Sequence, residues 1–155
     1  MKPNIANKSL TRAFCIVLLA GLAPTANGAT CSTATVAGNW GATLNGVLIL
    51  PTGSVPVGAV LRATADEDGN LSGSEARSVG GGYADETLSG SWTVNADCTG
   101  SATVNFYQAG QLVRISAVTI VFDDHSKELR MIQQSLTLPD GTQLPVVVTV
   151  DGKKQ

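Results

Sequence analysis

The chain is poor in the residues on which most enzyme and metal chemistry depends. Histidine occurs once, at position 125, cysteine three times, and no Cys-x-x-Cys pair is present. Two or three scattered ligands do not make a zinc-type set, so no metal and no cofactor is expected. With one histidine and no nucleophile elbow, no Ser-His-Asp set can be assembled, and no catalytic residue is assigned. Basic residues are few and nowhere clustered, which argues against nucleic acid and against anionic membrane surfaces. Long apolar runs are missing too. The one candidate, Ala13 to Ala23, has 11 residues, far short of the roughly 20 that span a bilayer.

That run has a different meaning. Lys2, Lys8 and Arg12 precede it, and Pro24 and the small residues Ala26 to Ala29 follow it. This order reads as a secretory signal over residues 1–28, cleaved after Gly28, leaving 29–155 as a single domain. Leu22, not a cysteine, follows the Leu-Leu-Ala-Gly stretch, which disfavours lipid attachment. The mature chain then carries seven basic residues against twelve acidic ones, a net charge of −5, and no membrane span. Export to the periplasm or the extracellular medium is the expected destination.

Loss of the signal removes Cys15 and leaves Cys31 and Cys98. In an oxidising compartment an even pair closes a disulfide, and a tether at Cys31 would keep the new N-terminus from fraying. A free or intermolecular thiol is the alternative. A catalytic Cys98 would want a histidine nearby, and none lies near it in sequence.

Elsewhere the pattern has period two. Leu88, Gly90, Trp92 and Val94 alternate with Thr87, Ser89, Ser91 and Thr93; Ala102, Val104 and Phe106 alternate with Ser101, Thr103 and Asn105. The segment Asn95 to Gly100 between them supplies a turn. Strands of the same kind follow from Trp40 to Leu50, Val57 to Ala65, Leu71 to Val79, Gln111 to Phe122, Glu128 to Leu138 and Pro145 to Val150. Turn signals every 8 to 15 residues without helical periodicity predict an all-β chain of about eight strands. Local connections favour a single antiparallel up-and-down barrel, which disposes of both sheet edges; a two-sheet β-sandwich is the alternative.

Many positions with inner parity are small: Ala42, Ala59, Ala63, Gly73, Gly90, Ala102 and Ala117. A round barrel lined this way leaves a pocket, whereas a flattened one closes it with Val, Leu and Ile. The residues placed around such a pocket are Trp40, Trp92 and Phe106, with Arg114 and Arg130 as polar anchors beside Glu75 or Gln133. The same arginines would equally serve as solvated strand-face residues. The stretches Asp123 to Lys127, around His125, and Asp66 to Asn70 read as hairpin loops. In the second, Gly69 comes too early for a calcium loop and the distal glutamate is absent. A carboxylate pair such as Glu75 with Glu86 is not excluded by counting, but nothing in the sequence singles it out.

Three stretches, DEDGNLSGS (66–74), LSGSWTVNADCTGSATV (88–104) and IVFDDHSKELRMIQ (120–133), resemble a group of small exported bacterial proteins without an assigned activity. The resemblance covers most of the mature chain and implies a calycin-like or allene-oxide-cyclase-like β-barrel. It carries over no catalytic residue. Three functions fit. The first is a binding module for a small apolar or amphipathic ligand, the second a solid-core structural or interaction protein whose partner is unknown. The third is a cyclase- or isomerase-type enzyme that acts by folding its substrate into position.

Overall fold

A computed structural model describes residues 30–123 and 125–155. The expected signal segment, residues 1–28, and Asp124 lie outside the described residues. One turn of helix, α1 (Thr33–Val36), precedes nine strands: β1 (Gly38–Leu50), β2 (Gly53–Ala65), β3 (Asn70–Val79), β4 (Gly82–Val94), β5 (Thr99–Gln108), β6 (Gln111–Asp123), β7 (Glu128–Thr137), β8 (Gln143–Leu144) and β9 (Val146–Lys154).

Each strand from β1 to β7 pairs antiparallel with the next, as hairpins require. The ring closes because β9 pairs with both β7 and β1, the latter from Trp40 opposite Lys154 to Leu48 opposite Val146. The result is a closed eight-stranded antiparallel up-and-down barrel, and the sandwich alternative does not form. The two-residue β8 lies along the same side of β7 as β9. Pro145, which has no N–H to give, interrupts that line, although its carbonyl still accepts from the Ile49 N–H at 2.8 Å.

The inner face carries the core. Trp40, Trp92 and Phe122 meet at one end, with ring centroids 6.2 Å apart for Trp40–Phe122 and 5.8 Å for Trp92–Phe122. The helix α1 seals this end. Ser32 caps it by accepting from the Thr35 N–H, Val36 is fully buried, and the Trp40 indole N–H donates to the Val36 carbonyl at 3.1 Å. A disulfide between Cys31 and Cys98 fastens the segment before α1 to the tip of the β4–β5 turn. Among the described residues no helix covers the other, open end, where Leu48, Val57 and Arg77 are each partly exposed.

Small inner residues serve two purposes. Ala42, Ala63 and Ala102 line free space on the barrel axis. Gly73 and Gly90 do not: a methyl group on Gly73 would collide with the Arg62 carbonyl oxygen and lie 2.9 Å from the Ala63 Cα. At Gly90 it would meet the Thr103 carbonyl oxygen and lie 3.0 Å from the Val104 Cα. These glycines let the neighbouring strand's backbone approach more closely than a Cβ would allow. Gly73→Ala should therefore destabilise by about 1–3 kcal/mol, read as a lower urea midpoint; an unchanged midpoint would mean that the two strands move apart freely. One expectation needs correction. Ala117 does not face inward, because Ser116 and Val118 hold the inner parity of β6, and a register shift between Ala117 and Val118 follows.

Candidate functional site

Inside the barrel lies a cavity of about 100 Å³. Trp40, Trp92 and Ile120 line it toward the sealed end, and Leu61, Leu88 and Phe106 form part of its wall. Its polar lining is limited to Arg77, Arg114, Ser116 and Gln133. The cavity is thus apolar along most of its length, with its few polar side chains gathered toward one end.

Register explains that place. The β3–β4 turn sets Glu75 opposite Glu86, both on inner parity, and both side chains are fully buried. Arg77 lies two residues on from Glu75, and Arg114 of β6 reaches across from beside Phe106. Arg114 Nη2 donates to Glu75 Oε1 at 2.8 Å, and its Nη1 donates to Glu86 Oε2. Arg77 donates to Glu86 Oε1 from Nε at 3.2 Å and from Nη2 at 2.6 Å, and stands 3.9 Å from Glu75. The Arg114 guanidinium also covers the Phe106 ring, 3.6 Å from its centroid. Two carboxylates and two guanidiniums therefore share one buried network with no net charge. Beside it, Gln133 Nε2 donates to Ser116 Oγ at 2.9 Å and to the Ser135 carbonyl at 3.0 Å.

Burial dominates the acid–base behaviour of this cluster. It raises the Glu75 carboxyl above its ordinary range, although Arg114 and Arg77 pull the other way. Burial likewise lowers Arg77, and takes Arg114 down to about 10, with Glu75 opposing the change in both. Both arginines stay charged at neutral pH. Glu75 Oε2 has no hydrogen-bond partner, and neither does the buried Trp92 indole N–H.

Of the residues expected around a pocket, Trp40, Trp92, Phe106 and Arg114 all line the cavity. Arg130 does not join them. It lies on the outer wall with 68% of its side chain exposed, 3.6 Å from Asp123, because its neighbours Leu129 and Met131 take the inner parity. Arg77 was not anticipated, and the Glu75–Glu86 pair was not singled out. The signal was nevertheless present: Glu75 and Arg77 continue the parity of Leu71 and Gly73, and Glu86 that of Leu88, Gly90 and Trp92. Four charges of balanced sign on core parity require one another.

The expected loop at Asp66 to Asn70 forms, and His125 to Lys127 make a turn before β7. Asp66 accepts from the Asn70 backbone and side chain at 2.7 and 2.8 Å, closing the β2–β3 hairpin. Among the described residues, no group of three or more His, Cys, Asp or Glu side chains is placed to hold a metal ion. No helix among them is long and apolar enough to cross a membrane.

No protein family and no curated protein matches the chain. Among solved structures, a redesigned β-barrel, mFAP1, bound to DFHBI, is similar at 16% identity and a TM-score of 0.48, over 79% of this chain and 97% of that one.

Proposed function

We propose that this protein is an exported barrel that binds a small apolar or amphipathic ligand in its axial cavity. The observation that carries the reading is the cavity itself: about 100 Å³ of unfilled space walled by Trp40, Trp92 and Phe106. Protein interiors are normally packed as densely as organic crystals. A void of this size costs on the order of 2 kcal/mol relative to a filled core. Larger side chains at Ala42, Ala63 or Ala102 would remove that cost, yet those positions are alanine. An apolar cavity of about 150 Å³ takes up benzene, so a narrow ligand, or the end of a longer one entering from the open side, suits the space here.

The reading predicts a fluorescence response. Both tryptophans of the chain line the cavity, so intrinsic emission reports on its contents and on little else. Titration with alkyl compounds should give a saturable change in emission and a higher unfolding temperature; at a hundred times Kd the gain is about 2.7 kcal/mol. Ala102→Leu should fill the space, abolish the response and leave the protein folded. If no alkyl compound alters the emission of the wild type, the solid-core interaction protein becomes the better reading. The isomerase reading is less favoured, because the charged network lies toward the mouth and the sealed end is apolar.

A further inference from the structure

Which ligand the cavity prefers follows from which polar atoms face it. Both arginines line the cavity, while neither Glu75 nor Glu86 does; the carboxylates stand behind the guanidiniums with fully buried side chains. Each guanidinium carries five N–H donors. Four of the ten are engaged with Glu75 and Glu86. The cluster thus keeps six N–H donors that the two carboxylates do not use, on residues that line the cavity, whereas the Gln133 amide group is already committed to Ser116 and Ser135.

Position matters as much as number. Arg114 is pinned between two carboxylates and the Phe106 ring, whereas Arg77 hydrogen-bonds to Glu86, stands 3.9 Å from Glu75 and keeps 21% of its side chain exposed at the open end. Arg77 is therefore the arginine that can accept a new partner without leaving a buried carboxylate bare, since Arg114 still holds Glu86.

We propose, on the basis of the ligand-binding reading above, that the cavity selects a monocarboxylate, its head seated on Arg77 with support from Arg114 and its apolar tail directed toward Trp40 and Trp92. A carboxylate matches the planar fork of a guanidinium. An ammonium head would meet two cations. A dianion would bring two charges to a network that is already neutral and largely desolvated. One added charge is more readily borne. Glu75, which faces Arg77, Glu86 and Arg114, is the acid of this network that burial already inclines toward its neutral form.

The test compares heads on a common tail: hexanoate, hexan-1-ol and hexylamine, with butanoate and decanoate to vary length, each titrated against tryptophan emission and by calorimetry. Hexanoate should bind at least about tenfold more tightly than hexan-1-ol, and hexylamine should not compete. Arg77→Gln should erase that advantage, so that hexanoate and hexan-1-ol bind the variant equally, with a cooperative urea transition of the variant showing that it remains folded. Arg77→Lys should restore part of it, since the charge returns without the fork. Equal affinity for acid and alcohol, or an advantage that survives Arg77→Gln, would overturn the carboxylate assignment and leave the binding barrel standing. Failure of every acid and alcohol in the series to bind would remove both.

Discussion

Replacing Arg114 with methionine should cost this protein about 3–5 kcal/mol of stability, the range found when one member of a buried ion network is removed. The reason is the bereavement of the carboxylates and not the loss of one good contact. Glu86 keeps Arg77, but Glu75 is left with a guanidinium 3.9 Å away and an Oε2 that already lacks a partner. The cation above the Phe106 ring is lost as well. Urea unfolding at neutral pH measures the effect. A loss below about 1 kcal/mol would show that water entering from the open end solvates the carboxylates, as at an exposed pair. Replacing all four charged residues together by apolar ones of similar volume should be close to neutral or stabilising. It should also abolish discrimination between acid and alcohol ligands. A network that stability does not require, but that recognition does, is what that pair of results would establish.

Removal of the disulfide is the second large effect. Cys31 and Cys98 are separated by 67 positions, and in the chain-entropy picture a loop of that length is worth roughly 4 kcal/mol. The double substitution Cys31→Ser with Cys98→Ser should lower the urea midpoint accordingly. It should do more at the sealed end. A helix of one turn has no stability of its own, so α1 stays in place through its tether, the burial of Val36 and the bond from Trp40. Without the tether, limited proteolysis should cut the segment before β1 first, and tryptophan emission should shift to the red as water reaches Trp40 and Trp92. A double variant within about 1 kcal/mol of the wild type and equally protease-resistant would mean that packing alone holds α1.

The barrel was legible because most of its strands keep one face apolar and the other polar, and because its turns are written in Gly, Asn, Asp and Pro. Trp40, Trp92 and Phe106 could be placed from that alternation alone. Where both faces are apolar, alternation does not distinguish them. In β6, Ile115, Ala117 and Val121 compete with Val118, Ile120 and Phe122, so parity does not reveal that Ala117 points outward. In β7 the charged Arg130 sits between Leu129 and Met131, and its own polarity was the better guide to its face. The Glu75–Glu86 pairing depended on the register of a hairpin whose turn region, Gly80 to Gly82, permits several. A composition of charges says nothing about adjacency until the register is known.

The seam between β1 and β9 joins the first strand of the barrel to the last, with Trp40 set against Lys154. Every other pairing in the ring can begin within a hairpin, but this one must wait for the whole circle of chain to be in hand. Until it zips shut, β1 and β9 offer bare ladders of N–H and C=O groups to any passing chain. The hazard of mispairing is therefore concentrated in one late step, and shortening β9 should turn a sealed vessel into an open, self-associating ribbon.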